Sequence, residues 1–471
     1  MRTSIKHTLA IALVSGFACN AAAQELRSSY FMETSIYKHQ LNPAFLDKAY
    51  VGMPVLGNMN VGANGTIGYS NFVYSGNFTD SHGKHFTQTT FMHPDISASD
   101  FLGRLDDENK FNVNLNINIF SVGFKAFKGF NVVEMNLRSN TSANLPYELF
   151  EFMKTAGEKE HYNIKDVGVR SQNYMELAFG HSRKITKDLT VGGKFKILLG
   201  AAYADLDVKN MDITMNENKW IIKSDAKVNA AILKSTVKLD DDTDPSTCQD
   251  GRRKVEGLDD VSFGVPGFGL ALDLGATYKV PSVEGLTVSA ALNDLGFISW
   301  SKNETASSTG EYPFDGFINI ATEGNNDGTN KLSDQFDNLS DDLQKMFSVY
   351  YDGKKSKTTA LTATLNLAGE YKMPFYDKLK VGLLYSQRFN GMYSCSQTML
   401  TANVRPIKCL EMSLNTSTTT EGWCCGGMLN VYTKGFNFFI GSDRIMGKVS
   451  KQFIPLNNLN ANVNFGFNFP L

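Results

Sequence analysis

The chain has no apolar run long enough to cross a membrane as a helix. Its longest, Thr8 to Ala18, falls well short of the ~20 residues such a span needs. It has no surplus of basic charge either. Against 46 Lys and Arg stand 48 Asp and Glu, a net of −2, so the basic footprint of a nucleic-acid binder is absent. Histidine (7) and cysteine (6) are sparse, and no nucleophile elbow of the G-x-S-x-G kind occurs. Proline is rare at 12 in 471 residues. Mean hydropathy is −0.22, a value that reads as soluble. Phe and Tyr are plentiful, at 33 and 18.

The N-terminus has the layout of a secretory signal peptide. Arg2 and Lys6 precede the apolar core, and Ala21-Ala22-Ala23 place small residues before a cut at Gln24. An exported chain that enters a membrane without a spanning helix must do so as a closed β-barrel. Only helices and barrels satisfy their own backbone in lipid.

Strand periodicity supports that route. Residues 111–120 read FNVNLNINIF: Phe111, Val113, Leu115, Ile117 and Ile119 alternate with Asn112, Asn114, Asn116 and Asn118. NANVNFGFNF at 460–469 repeats the pattern, with Asn462 and Asn464 on the polar face. NMNVGANGTIGYS at 58–70 does so again, and LTVGGKFKI at 189–197 places Lys194 and Lys196 on a polar face. Period two is the strand signature. In a soluble sandwich the apolar face would pack inward. In a membrane barrel it meets lipid and the polar face lines the lumen. Asn is a poor strand former, and a hydrogen-bonded interior explains its repetition. Asn112, Asn114, Asn116, Asn118, Asn462, Asn464, Lys194 and Lys196 are therefore the candidate lumen-lining residues.

Short turns fall at Lys128-Gly129, Thr186 to Asp188, Pro281 to Gly285, Pro374 to Lys378, Arg405 to Lys408 and Lys434-Gly435. Longer segments alternate with them: 71–110, 143–171, 205–266, 301–356, 390–392, 421–422 and 444–457. This predicts an all-β antiparallel barrel of about fourteen strands, with short helices in its loops. The expected division is a signal peptide at 1–23, an N-terminal segment at 24–56 and the barrel at 57–471. Asp205 to Lys238 reads as a hairpin rising above the membrane. LPYELFEFMKTA at 145–156 reads as a short helix with an early proline, and 333–349 carries Phe336, Leu339, Leu343, Met346 and Phe347 at helical spacing. Phe150, Phe152, Met153, Phe336, Leu343, Met346 and Phe347 are candidates for a lid over a greasy path; local packing is the plainer account.

Chemistry is thin. Asp240, Asp242 and Asp244 alternate like a calcium loop but lack its Gly and Glu. His82, His85 and His93 have no companion ligands at zinc spacing. His181, the sole His on a predicted strand, shares the lipid-facing parity of Leu177 and Phe179. Cys395 and Cys425 sit two lanes apart, near 10 Å at ~4.8 Å per lane, beyond the ~7 Å that a disulfide tolerates. Cys248, Cys395, Cys409, Cys424 and Cys425 thus form no evident disulfide framework. No cofactor, metal or catalytic residue is implied, and the chain reads as no enzyme.

Asn42-Pro43-Ala44, the hairpin ITKDLTVGGKFKILLGAAY at 185–203 and above all LNDLGFISW at 292–300 resemble a domain-of-unknown-function family of Bacteroidetes outer-membrane barrels. That family is similar in layout to FadL-like fatty-acid transporters and to PorV-type barrels of protein secretion. The resemblance implies that Gln24 to Leu56 plugs the lumen, with Asn42-Pro43 as its turn. It also implies that Asn464 to Phe469 is the terminal strand read during barrel assembly.

The expectation is an exported outer-membrane barrel for passive transport of a small hydrophobic or amphipathic molecule. The alternative is a non-transporting scaffold or shuttle for secreted or surface proteins. Partners on these readings are outer-membrane lipid and either a hydrophobic small molecule or other proteins, with no nucleic acid.

Overall fold

A computed structural model describes residues 26–79, 85–216, 219–232, 236–240, 248–249, 251–259, 264–308, 311–314, 348–420, 422–444 and 460–471. The expected signal peptide, the Asp242–Asp244 part of the acidic loop, and Phe336, Leu339, Leu343, Met346 and Phe347 lie outside the described residues.

The strands, in chain order, begin with β1 (Tyr50–Gly52), β2 (Met59–Gly65) and a small hairpin, β3 (Val73–Thr79) with β4 (His85–Thr90). Long strands follow: β5 (Glu108–Ala126), β6 (Gly129–Pro146), β7 (His161–Lys184), β8 (Leu189–Asn216) and β9 (Lys219–Ile232). Four short ones, β10 (Thr236–Leu239), β11 (Cys248–Gln249), β12 (Arg252–Arg253) and β13 (Val255–Asp259), belong to a loop. Then come β14 (Gly267–Lys279), β15 (Leu286–Ser308), β16 (Glu311–Phe314), β17 (Tyr350–Ala360) and β18 (Ala363–Lys372). The last are β19 (Leu379–Phe389), β20 (Cys395–Ile407), β21 (Leu410–Thr419), β22 (Gly422–Thr433), β23 (Phe436–Ser442) and β24 (Asn460–Pro470).

The ladders are antiparallel and close on themselves. From β2 the ring runs through β5, β6, β7, β8, β14, β15, β18, β19, β20, β21, β22, β23 and β24. It returns to β2 by pairing Asn462 with Gly62. A closed ring leaves no edge strand unpaired. The Lys128-Gly129, Thr186–Asp188, Pro281–Gly285, Pro374–Lys378 and Lys434-Gly435 turns all connect ring neighbours. The sixth falls at Lys408-Cys409 rather than Arg405–Lys408, because β20 runs on to Ile407.

Alternation settles inside and outside. Asn112, Asn116 and Asn118 are buried, as are Asn462, Asn464, Lys194 and Lys196. On the opposite face Phe120 (beyond a register shift after Asn118), Phe179, Phe195, Leu274, Leu367, Leu383, Leu400, Leu414, Leu429, Ile440 and Val463 are exposed. These span most of the ring and form one apolar belt, far beyond the patches that soluble monomers show. His181 lies on this outer face, where its Nδ1 is 2.9 Å from Asn131 Oδ1.

Two elements depart from the sequence reading, and a third follows it. The 58–70 strand stops at Gly65, and Tyr69–Phe72 is a helical turn in which Gly68 N–H donates to Asn71 Oδ1 at 2.9 Å. Residues 143–171 are not a free loop, because β6 and β7 continue through most of them around the Tyr147–Thr155 helix. β8, expected to rise above the membrane, has 28 residues, where a barrel strand needs ~10 to cross.

That rise carries a core of its own. Phe72, Phe91 and Phe101 from residues 67–102 pack with Phe150 and Phe152 of the helix and with Ile164, Met211 and Ile213 of β7 and β8. Phe91 and Phe101 stack at 4.2 Å, and Phe72 lies 5.5 Å from Phe150. Truncating one such ring typically costs ~3–5 kcal/mol, so this outer lobe is a folded unit. Cys395, Cys409, Cys424 and Cys425 are free thiols.

Three lanes are each shared by two strands, β1 with β2, β17 with β18 and β9 with β14, and only the last pair is separated by a long loop. β8 pairs with β14 over Leu189–Gly200 and with β9 from Ala202 on. β15 likewise pairs with β14 up to Trp300 and with β9 from Glu304. β14 and β9 thus share one lane end to end. Fully buried Trp300 covers the join, stacked 5.3 Å from Tyr203 and donating Nε1–H to Thr359 Oγ1 at 2.9 Å.

Candidate functional site in the barrel lumen

Residues 26–48 run inside the ring rather than beside it. The segment is three 3-10 turns, Arg27–Phe31, Tyr37–Gln40 and Pro43–Phe45, and almost every residue is buried. Such short turns leave most backbone groups without local partners, and the wall supplies them. Asp443 accepts the N–H groups of Arg27 (2.6 Å) and Ser28 (3.1 Å). Glu411 on β21 accepts those of Glu33 (2.9 Å) and Thr34 (2.7 Å), together with the Thr34 hydroxyl (2.5 Å). Asn293 on β15 and Asn366 on β18 both donate to the Leu41 carbonyl, at 2.8 and 3.0 Å.

The Asn42-Pro43-Ala44 turn is the tightest seat. Asn42 Oδ1 accepts the Ala44 N–H at 3.0 Å, while Nδ2 donates to the Tyr30 hydroxyl at 3.1 Å and to the Ala276 carbonyl at 3.3 Å. The wall opposite is glycine. A Cβ at Gly192 would strike the Pro43 backbone, and one at Gly275 would strike the Asn42 side chain.

A chain of polar contacts joins this segment to the wall. The Tyr37 hydroxyl donates to Asn118 (3.3 Å), Asn118 to Asn136 (2.8 Å) and Asn136 to Glu176 (3.0 Å). Glu176 faces Arg138 and Lys196 at 3.5 Å each. Lys196 also meets Asp273 at 2.8 Å and Asp294 at 2.6 Å. Lys194 pairs with Glu134 at 2.5 Å, and Gln40 donates to the same carboxylate at 3.1 Å. Buried charges persist only when paired and hydrogen-bonded in this way. His39 Nε2 lies 2.9 Å from the Tyr50 hydroxyl. Burial, reinforced by the Lys194 charge, pushes the His39 imidazole down to about 3.

Beside the segment lies a chamber of about 90 Å³. Arg27 and Leu41 of the segment face Arg138, Asp294, Asn366 and Arg388 of the wall across it. Asp294 is set by an irregularity in β15, where its φ is +59° and its N–H donates to Asp273 at 2.7 Å.

Of the expected lumen residues, Asn114 and Asn116 line the chamber. Asn118, Lys194 and Lys196 belong to the polar network. Asn112 accepts from the Ser142 hydroxyl, Asn462 accepts the Asp443 N–H at 2.7 Å, and Asn464 donates to Asn58 at 3.0 Å. Phe150, Phe152 and Met153 are core of the outer lobe, and none of them lines the chamber. Sequence reasoning missed Arg27, Arg138, Asp294, Arg388, Glu411 and Asp443. The available signal was a charge at inward parity within an alternating strand, as at Arg138 between Leu137 and Ser139.

Fold and site define a transmembrane-type antiparallel β-barrel with an occupied, charge-networked lumen. The chain belongs to the family of unknown function DUF5723, whose model matches residues 43–443. No curated protein matches it in sequence. Among solved structures it is similar to the Ralstonia pickettii toluene transporter TbuX (10% identity, 92% of each chain covered, TM-score 0.40). It is similar also to a Pseudomonas aeruginosa FadL homologue (9% identity, 91% of each chain, TM-score 0.37). The translocator domain of the Neisseria meningitidis autotransporter NalP aligns at 8% identity over 90% of this chain and 88% of that one, with a TM-score of 0.32.

Proposed function

We propose that this is an outer-membrane barrel that passes a small amphipathic or hydrophobic molecule passively, with residues 26–48 as its plug. The observation that carries the reading is the chamber: a polar space in the lumen, bounded by the inner segment and lying in a barrel crowned by an apolar outer lobe. The turn end faces the periplasm and the lobe faces outward. Aromatic rings fill the lobe and polar groups line the chamber, which favours an amphipathic solute over a purely apolar one. Transport then requires the plug to shift. Cells lacking the protein should take up some member of a panel of short fatty acids, aryl acids and small aromatics several-fold more slowly. Unchanged uptake of the whole panel overturns the proposal.

A scaffold or shuttle role for secreted or surface proteins is the second reading. It is favoured by the height of β7, β8 and β9, which carry a folded lobe clear of the belt. Crosslinking at the lobe surface in whole cells tests it. A recurrent protein partner supports docking, and its absence leaves the transport reading alone.

A further inference from the structure

We infer that the lumen chamber is a binding site for a small hydrophilic oxyanion, a phosphate or short carboxylate, held between Arg27 of the inner segment and Arg388 of the wall. The inference stands independently of what, if anything, the barrel transports.

It begins from guanidinium groups that no carboxylate contacts directly. Three guanidinium groups and one carboxylate line the chamber. The carboxylate, Asp294, is already taken by Lys196 at 2.6 Å. Arg138 has Glu176 at 3.5 Å. For Arg27 and Arg388 no salt bridge occurs among the described residues. Arg27 donates to the neutral Gln397 amide, and Arg388 donates to Asn114 Oδ1 at 3.2 Å. Arg27 is only 3% exposed, and an unpaired buried ion carries a penalty of several kcal/mol. Burial pulls its guanidinium down to about 10; the Arg388 and Arg444 charges pull the same way, and Cys395 and the Asp443 carboxylate pull against them. It therefore stays cationic at neutral pH.

Unused donors make a second, separate observation. The side-chain nitrogens of Asn114 and Asn116 are buried at the chamber without a hydrogen-bond acceptor among the described residues, beside the equally unpaired oxygens of Asn60 and Asn116. Buried donors of this kind are rare and need an explanation. An oxyanion answers both features, because each oxygen can accept from a guanidinium fork and from an amide. The guanidinium geometry suits planar or tetrahedral oxyanions better than halides. About 90 Å³ is room for a cluster of waters at ~10–15 Å³ each, or for an anion of a few heavy atoms. Because Arg27 belongs to the inner segment and Arg388 to β19, the bound anion ties one to the other.

The test uses the full chain in detergent, titrated with inorganic phosphate and with succinate at constant ionic strength. Saturable binding of either one that chloride does not reproduce is expected, and the preferred probe identifies the source of the oxyanion. Arg27→Gln and Arg388→Gln should each weaken binding at least tenfold while heat-modifiable mobility on gels stays native. A readout without variants is protection of Arg27 and Arg388 from phenylglyoxal, mapped by mass spectrometry; the bound anion should slow their modification several-fold. No saturable binding of either probe, or undiminished binding in both variants, overturns the inference. So does an absence of protection. Solute uptake is read separately, so failure here leaves the transport proposal where it was.

Discussion

Replacing Glu411 with Gln should loosen the inner segment without unfolding the barrel. Glu411 is buried, and its two oxygens accept three hydrogens: the Glu33 N–H, the Thr34 N–H and the Thr34 hydroxyl. Glutamine keeps the shape but turns one acceptor into a donor. At least one backbone N–H then faces an NH₂ group, and the remaining bonds lose their charge assistance. Hydrogen bonds to charged groups contribute ~1.5–3 kcal/mol each, and a stranded buried donor costs ~1–3 kcal/mol. A net loss of ~2–4 kcal/mol follows. At 1.4 kcal/mol per tenfold, that raises the released fraction by ~30- to 700-fold. The assay is alkylation of a buried reporter, Ser35→Cys, in a chain whose native cysteines are replaced, using a charged thiol reagent on proteoliposomes. Where re-seating is fast, the labelling rate tracks the open population. Acceleration below ~3-fold in a heat-modifiable, folded variant would refute the reasoning.

Acid should release the same segment. His39 is neutral in place, and its Nδ1 has no acceptor among the described residues; Tyr37, Tyr50, Glu134, Lys194 and Asp47 are the titratable groups around it. Its seated value of about 3 lies below the ~6.5 of a free imidazole, so seating is fully favoured above pH ~6.5 and weakens as pH falls through that window. Labelling at pH 4.5 should run ~100-fold faster than at pH 7.5, and His39→Gln should lessen that pH dependence. Gly275→Leu should abolish seating outright, read as fast labelling even at neutral pH, since the new side chain occupies the Asn42 position. Leu414→Arg tests the apolar belt: Leu414 is 70% exposed in mid-strand. Arg there costs ~2–4 kcal/mol at a bilayer midplane, against ~0.5 kcal/mol or less on a water-facing surface. Unimpaired assembly of this variant would place the belt in water.

Period-two alternation made the wall legible. One strand such as FNVNLNINIF declares its inward Asn face, although Phe111 and Val113 pack into the outer lobe instead of the belt, and turn residues mark where each hairpin reverses. What lies inside the ring was far less legible, because the inner segment has no period at all. Its conformation is set by partners hundreds of residues away, such as Asp443 for Arg27 and Glu411 for Thr34. The LNDLGFISW stretch shows the difference. It reads as an ordinary apolar strand, yet Asn293 anchors Leu41, Asp294 holds Lys196 and Trp300 covers the lane join. Only the Asn-Asp pair, poor in strand propensity, hinted at that work. Loop strands were under-read for a similar reason: β6 and β7 keep alternating past the belt, but with an interior of protein instead of lumen.

The two ends of the barrel wall meet in one place. β1, which directly follows the inner segment, lies between β24 and β5, pairing Tyr50 with Pro470 and with Gly123, and Leu471 N–H donates to the Ala49 carbonyl at 3.0 Å. β24 therefore completes a seam whose other half is tethered to the lumen filling. β2 carries the main closing ladder with β24, so β1 extends the seam only while the filling stands at its mouth. A chain whose filling is displaced should therefore fray at β1 while the β2 ladder holds the wall closed.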